Sequence, residues 1–162
     1  MTQQARRARR ADPGARKVLN FELLRQDAVA RRSANEQQSL DFFTERDGLR
    51  FAGAHLIVDL HGARRLNELE HIETTLRRCV DVAGATLLHI HLHPFEPNGG
   101  VSGVAVLAES HISIHSWPEA GYAALDIFMC GNAKPQRCIE VLLEAFAPAR
   151  IGVEEILRGC NP

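Results

Sequence analysis

The sequence lacks paired cysteines and any excess of charge of one sign, and both absences narrow the class of protein. Its four cysteines, Cys79, Cys130, Cys138 and Cys160, stand at unrelated spacings without a CxxC pair. In a chain of this length that pattern favours reduced thiols over a disulfide framework. The formal net charge of -1 at pH 7 provides neither a basic field for nucleic acid nor an acidic field for cationic ligands. We therefore expect no nucleic-acid partner.

Long apolar runs are also missing. No stretch approaches the roughly 20 apolar residues that a membrane span requires. The arginine-rich start is not followed by the apolar segment of a secretory signal. The chain has 162 residues, of which 45% are hydrophobic and 24% charged, a composition that suits one globular domain. We expect a cytoplasmic protein that has no membrane partner.

The first 47 residues differ in composition from the rest of the chain. Residues 1–17 carry Arg6, Arg7, Arg9, Arg10 and Arg16 with almost no large apolar side chain, so burial cannot offset the entropy of ordering them. Residues 18–34 could form a short helix. We predict a flexible N-terminal extension over residues 1–47 and a compact domain over 48–162, which opens at the turn signal Asp47-Gly48.

Hydrophobic periodicity in the compact domain predicts alternating strands and two helices. The predicted strands are 51–60, 86–93, 101–108, 111–117, 122–129 and 151–156, and the predicted helices are 65–83, with Gly84 as its stop, and 135–146. Short turns between consecutive strands imply antiparallel neighbours. The predicted fold class is α+β: a two-layer sandwich of an antiparallel sheet with helices on one face.

The segment 99–131, GGVSGVAVLAESHISIHSWPEAGYAALDIFMCG, concentrates reactive side chains among predicted strands. On an alternating strand His111, Ser113 and His115 face one side. Ser110 would face the other side with its isoleucine neighbours, unless a turn or a chain break intervenes at Ser110. A simple core strand would not carry so many polar residues, so the segment indicates a functional site.

The run AESHISIHSWPE, preceded by GGVSG and followed by GYAALDIFMCG, resembles the signature of prokaryotic S-adenosylmethionine decarboxylase proenzymes, which depend on a pyruvoyl group. The resemblance continues more weakly from about Phe51 to Arg158, where GAHLIVDL is similar to the first strand of the family. It implies self-cleavage between Glu109 and Ser110 into a β chain (1–109) and an α chain (110–162). Ser110 would become the covalent pyruvoyl cofactor.

The same resemblance implies roles for three more residues. His115 matches the base of the processing reaction, and Ser102 matches a second processing residue whose hydroxyl stabilises the transient oxyoxazolidine. Cys130 matches the acid that reprotonates the substrate carbon. The pyruvoyl ketone would form a Schiff base with S-adenosylmethionine and accept the electrons released with carbon dioxide. The product would be the aminopropyl donor for spermidine synthesis.

Two further residues match substrate contacts of the family, and the family also implies an assembly. Glu119 matches a residue that binds the ribose hydroxyls, and Phe95 matches an aromatic residue that stacks on adenine. An aromatic face also attracts a sulfonium cation. Family members pair their sheets, so the resemblance implies a homo-oligomer of cleaved protomers. We assign no metal site.

Three alternatives stay open at this point. Relatives of the same fold decarboxylate arginine or ornithine with the same cofactor, so these two substrates stay open as alternatives to S-adenosylmethionine. His89, His91 and His93 alternate along one predicted strand like zinc ligands, but neighbours about 7 Å apart suit a single metal poorly. A non-catalytic regulatory homologue is the third alternative, and the intact Glu109-Ser110 junction argues against it.

Overall fold

A computed structural model describes residues 43–160. The predicted arginine-rich tail and the predicted helix over 18–34 lie outside these residues. The strands are β1 (Thr44–Arg46), β2 (Leu49–Phe51), β3 (Gly53–His61), β4 (Leu87–Pro94), β5 (Val101–Leu107), β6 (His111–Trp117), β7 (Tyr122–Cys130) and β8 (Arg150–Arg158). The helices are α1 (Leu69–Ala83) and α2 (Cys138–Phe146).

Six of the strands form one sheet in the order β4-β5-β6-β7-β3-β8. Every neighbouring pair in this sheet is antiparallel. β1 and β2 form a separate antiparallel hairpin. The predicted α+β class, with an antiparallel sheet and two helices, is therefore confirmed.

One face of the sheet is covered by both helices. The inward side chains of alternate strand residues, such as Leu56, Val58 and Ile114, are fully buried. They share one apolar core with Leu76 of α1 and Leu142 of α2. Full burial of each such side chain stabilises the fold by about 1.5–3 kcal/mol. No helix within residues 43–160 is both long and apolar enough to cross a membrane.

We call the opposite side of the sheet the bare face, because neither helix covers it. It carries His55, Ile57, Asp59 and His61 on β3, His111, Ser113, His115 and Trp117 on β6, and Tyr122, Ala124, Asp126 and Phe128 on β7. These side chains are half-buried or exposed. The prediction that His111, Ser113 and His115 share one face is confirmed, because their neighbours Ile112 and Ile114 are buried in the core.

The first helix begins later than the periodicity predicts. Arg65 has φ +60°, a left-handed backbone conformation that cannot belong to a right-handed helix. Leu66 is buried in the core, and its carbonyl accepts a 2.8 Å hydrogen bond from the Ser116 hydroxyl. The helix therefore starts only at Leu69. Its predicted stop at Gly84 is confirmed, since that residue caps the helix with φ +73°.

Regular structure begins upstream of the predicted domain boundary. Asp47 and Gly48 form a two-residue turn with φ +53° and +76°, the conformation that favours a tight β-hairpin. The turn joins β1 to β2 instead of opening the domain. Phe51 at the end of β2 is 1% exposed, so the hairpin is packed against the rest of the domain.

Gly84→Ala should lower the free energy of unfolding by about 1 kcal/mol, because alanine reaches the left-handed region only at a steric cost. A methyl group there would meet no atom within 4 Å, so the loss should come from the backbone alone. Gly84→Asn is the matched control and should lose less, since asparagine tolerates this conformation better. Chemical denaturation measures both variants. Equal losses for the two variants would contradict this account of the helix cap.

Candidate active site

Ser110 lies in the turn that joins β5 to β6. The Leu107 N–H donates to the Ser110 carbonyl at 2.9 Å and closes this turn. The Ala108 N–H donates to the Thr86 carbonyl at 3.0 Å, which ties the turn to the start of β4. Ser110 is half-buried and belongs to neither strand. The turn therefore presents the Glu109–Ser110 peptide bond at the end of the sheet.

Ser110 and Cys130 lie together. The backbone N–H of Cys130, the last residue of β7, donates to the Ser110 Oγ at 3.2 Å. Both residues line a cavity of about 410 Å³. Its other lining residues are Phe43, Gly84, Ala85, Thr86, Leu107, Ala108, Glu109, Gly131, Asn132 and Ala133. A hydroxyl and a thiol therefore face a common space that is large enough for part of a small molecule.

Burial raises the pKa of the Cys130 thiol above its ordinary value, and the negative charge of Glu109 raises it further. Both causes act in the same direction because they disfavour the thiolate. Cys130 therefore keeps its proton at neutral pH and can donate it. A low-pKa nucleophilic cysteine would need the opposite surroundings.

Ser102 and His115 form a second pair, on the neighbouring strands β5 and β6. They stand opposite each other in the strand register, and Ser102 Oγ and His115 Nδ1 are 2.6 Å apart. The Trp117 ring stacks beside the His115 imidazole, with ring centroids 6.2 Å apart. His115 is exposed. The hydrogen bond and the stacking together orient the imidazole on the bare face.

The two pairs are separated along β6. His115 follows Ser110 by five residues, and an extended strand rises about 3.3 Å per residue. The separation is therefore about 16 Å. Within one chain the His115 imidazole cannot reach the α-carbon of Ser110.

The predicted substrate residues lie at the His115 end of the sheet, away from Ser110. Glu119 is exposed in the short helical turn that follows β6. Phe95 is 50% exposed in the loop after β4, which closes through a 2.7 Å hydrogen bond from the Phe95 N–H to the Gly100 carbonyl. Gly100 abuts Ser116, since a methyl group on that glycine would lie 2.8 Å from the Ser116 carbonyl oxygen. Phe95 and Glu119 therefore belong to neighbouring segments.

Sequence reasoning did not identify a polar network at the centre of the bare face. Asp126 contacts His55 Nε2 at 3.2 Å and accepts a hydrogen bond from the Ser113 hydroxyl at 3.0 Å. Nearby, the Tyr122 hydroxyl donates to Asp59. These partners come from different strands, so their contacts cannot be read from the sequence. The available sequence signal for the network was one aspartate within each of two otherwise apolar strands, Asp59 in β3 and Asp126 in β7. The network satisfies polar groups that would otherwise oppose burial of this face.

The zinc alternative finds no support in the described structure. His89, His91 and His93 are all exposed on the edge strand β4. Within residues 43–160 no three histidine, cysteine, aspartate or glutamate side chains converge closely enough to hold a metal ion. The imidazoles of β4 are spaced along an extended strand, which prevents them from surrounding one ion.

Comparison with known proteins agrees with the fold. Residues 54–159 match the family model described as S-adenosylmethionine decarboxylase. The S-adenosylmethionine decarboxylase proenzyme of Thermomicrobium roseum is 46% identical over 108 residues, which cover 66% of this chain and 93% of that protein. That of Methanococcus aeolicus is 44% identical over 114 residues, covering 68% and 97%. The crystal structure of adenosylmethionine decarboxylase from Aquifex aeolicus superposes with a TM-score of 0.60 at 34% identity, covering 67% and 92%.

The antiparallel sheet with its two helices, together with these matches, defines an enzyme of the decarboxylase class. The chain belongs to the S-adenosylmethionine decarboxylase family. The family match begins at residue 54, so β1 and β2 lie outside it.

Glu109→Gln should lower the pH midpoint for alkylation of Cys130, because the substitution removes a negative charge that disfavours the thiolate. The midpoint should still exceed that of an ordinary thiol, because burial remains. Iodoacetamide labelling against pH measures it in a Ser110→Ala, Cys160→Ser background. The other two cysteines, Cys79 and Cys138, are fully buried.

Glu70→Gln serves as the control, since this carboxylate lies in the first turn of α1 and is not among the causes of the Cys130 shift. Glu70→Gln should leave the pH midpoint for alkylation of Cys130 unchanged. A midpoint that stays the same or rises in Glu109→Gln would mean that Glu109 does not act on the thiol.

Proposed function

We propose that this protein is a self-processing decarboxylase that removes the carboxyl group of S-adenosylmethionine by means of a pyruvoyl group derived from Ser110. The observation that carries the proposal is the shared cavity of Ser110 and Cys130, which holds a nucleophilic hydroxyl beside a protonated thiol. Family membership supplies the reaction class. The proposed site is the cavity end of the sheet.

The proposed self-cleavage begins at the turn between β5 and β6. The Ser110 hydroxyl adds to the Glu109 carbonyl carbon, the C–N bond breaks, and the hydroxyl proton passes to the departing nitrogen. The resulting ester then loses the Ser110 α-proton to a base, and the Cβ–O bond breaks to leave Glu109 as a carboxylate. Hydrolysis of the remaining dehydroalanine releases ammonia and leaves a keto group at residue 110. Only a side chain with a hydroxyl or thiol on Cβ can begin this sequence.

The surroundings of Ser110 fit a pyruvoyl group. The residue lies in an accessible turn, and its Oγ contacts the Cys130 N–H, a donor that can also hydrogen-bond to a carbonyl oxygen. The pyruvoyl group, once formed, would supply an electron-accepting carbonyl for the decarboxylation of the substrate. Cys130 then has one task, which is to deliver its proton to the substrate carbon. Positioned proton transfer of this kind contributes about 100- to 10,000-fold.

The proposed substrate is S-adenosylmethionine rather than arginine or ornithine. The relatives described above are named for S-adenosylmethionine, which supports this choice. We propose that Glu119 accepts hydrogen bonds from the ribose hydroxyls and that Phe95 stacks on adenine, since both side chains are exposed and available. The product would supply the aminopropyl group for spermidine synthesis in the cytoplasm.

Ser110→Ala should remain one uncleaved polypeptide and lose decarboxylation, because alanine has no nucleophilic oxygen. The wild-type chain should separate into two fragments whose masses correspond to residues 1–109 and 110–162, the second with a terminal keto group. Denaturing mass spectrometry with a carbonyl-trapping reagent measures both features. Cys130→Ala is the control: it should still be cut but decarboxylate poorly. A fully active Ser110→Ala variant would refute the proposed cofactor.

The distance between Ser110 and His115 calls for a second copy of the chain. Elimination at Ser110 needs a base, and the imidazole of the same chain is about 16 Å away. We propose that two chains pack with their bare faces against each other and are related by a two-fold axis. The axis reverses the strand direction and crosses β6 between Ser110 and His115. The axis brings Ser110 of each chain to His115 of the other. Such a contact is isologous and closed.

The chemistry of the bare face supports this pairing. Ile57, Ala124 and Phe128 provide apolar contact area, and burying apolar surface favours association. The carboxylates of Asp126 and Asp59 already have hydrogen-bond partners on the same face. Burial of this face would therefore leave these carboxylates paired. Ser102, Glu119 and Phe95 would join each cavity from the opposite chain together with His115.

Co-expression of a Ser110→Ala chain with a His115→Ala chain should restore cleavage that neither chain shows alone. Mixed dimers contain one complete site, in which the His115→Ala chain supplies Ser110 and the Ser110→Ala chain supplies His115. Tags of different mass identify which chain is cut, and only the His115→Ala chain should be. Cleavage in neither chain of a mixture that forms dimers would rule out the shared site.

A further inference from the structure

The β1–β2 hairpin lies before the residues that match the family, yet it contacts the candidate site. The family match begins at residue 54, whereas the hairpin spans Thr44–Phe51. The Thr44 hydroxyl donates to the Gly131 carbonyl at 2.7 Å. Gly131 directly follows Cys130, so this contact restrains the residue next to the proposed proton donor.

The hydrogen bond from Thr44 restrains the turn that follows Cys130. Gly131 has φ +61°, and no atom lies within 4 Å of the position where a side chain on it would begin. On the other side of Cys130, its own N–H donates to Ser110 Oγ. Cys130 is thus restrained on one side by the contact of its own N–H with Ser110, and on the other by the contact of the Gly131 carbonyl with the hairpin.

The hairpin is itself anchored at its other end. Both terminal nitrogens of Arg46 donate to the Glu155 carboxylate at 3.0 Å, in the bidentate geometry that gives the most directional ion pairs. The Gln136 amide donates to the same carboxylate at 2.6 Å, and Phe51 is buried. These contacts hold β1 against the domain, so Thr44 has a defined position from which to donate.

Phe43, which directly precedes β1, lies at the cavity. Phe43 is among the residues that line the space shared by Ser110 and Cys130. The Arg50 guanidinium of β2 lies 4.7 Å from the centre of the Phe43 ring, a cation–π contact that restrains the ring. The residue before the hairpin therefore lines the cavity, while Thr44 of the hairpin donates the hydrogen bond to the turn after Cys130.

From these contacts we infer that Thr44 is a positioning residue for decarboxylation: its hydroxyl holds the Cys130–Gly131 turn so that the Cys130 thiol points into the cavity. The inference rests on the proposed function, in which Cys130 protonates the substrate carbon. Proton transfer depends steeply on the placement of the donor. The loss of one restraint on the turn should therefore slow this step without weakening substrate binding.

Thr44→Val removes the hydroxyl and keeps the shape of the side chain. We expect roughly a tenfold fall in kcat, a nearly unchanged KM and complete cleavage by mass spectrometry. Iodoacetamide labelling of Cys130 in a Cys160→Ser background should become faster, because the loosened turn exposes the thiol. Thr44→Ser retains the hydroxyl and should restore both readouts. Glu45→Gln, on the exposed opposite side of β1, should match the parent.

A Thr44→Val enzyme with parental kcat and labelling rate would overturn the inference. So would an equal loss in Thr44→Ser, which would show that the hydroxyl is not the cause. If Thr44→Val does not fold, Arg46→Gln tests the same element through its second anchor and should lower kcat in the same direction; an unchanged kcat would then overturn the inference. Failure of the proposed function itself would appear separately, as a parent chain that stays whole and releases no carbon dioxide.

Discussion

The structure depends on the alternation of side chains across an antiparallel sheet that is covered by helices on one side only. On β3, β6 and β7 every second side chain enters the apolar core, and the others form the bare face. Burial therefore determines which residues are available for chemistry. Because Ile112 and Ile114 are held in the core, His111, Ser113 and His115 must point the other way. A register shift of one residue would bury the imidazoles and expose the isoleucines.

Other candidate reactive residues lie at the ends of the strands. Strands of an antiparallel sheet reverse at their ends, so the turn after β5 meets the last residue of β7 although twenty residues separate Ser110 from Cys130. The same geometry sends His115, Glu119 and Phe95 toward the other end. One chain thus carries two incomplete halves of the proposed site, and a pairing that reverses the strand direction would unite them. The thiol and Glu109 remain together at one end, where burial and charge keep the thiol protonated.

Much of the fold was predictable, and the exceptions have physical causes. Periodicity located the six strands of the main sheet and both helices, because apolar residues recur at the spacing of the faces they bury. It placed the start of α1 four residues early, since a left-handed residue at Arg65 leaves no trace in a hydrophobic pattern. The hairpin of β1 and β2 was missed because three-residue strands are too short to show alternation. Asp47-Gly48 was recognised as a turn, but what it joins depends on packing.

The sequence by itself determined the family, the nature of the reactive groups and the fold class, because all three follow from local residue order. A hydroxyl after Glu109, with an imidazole and a thiol at family spacing, indicates the family and its reactive groups. Apolar residues at strand or helix periods indicate the fold class. Tertiary structure alone decided which groups meet. It placed Cys130 beside Ser110 and brought Thr44 to the turn after Cys130. Such contacts join residues that are remote in the chain, and they are set by strand order, register and packing, which no short stretch of sequence specifies.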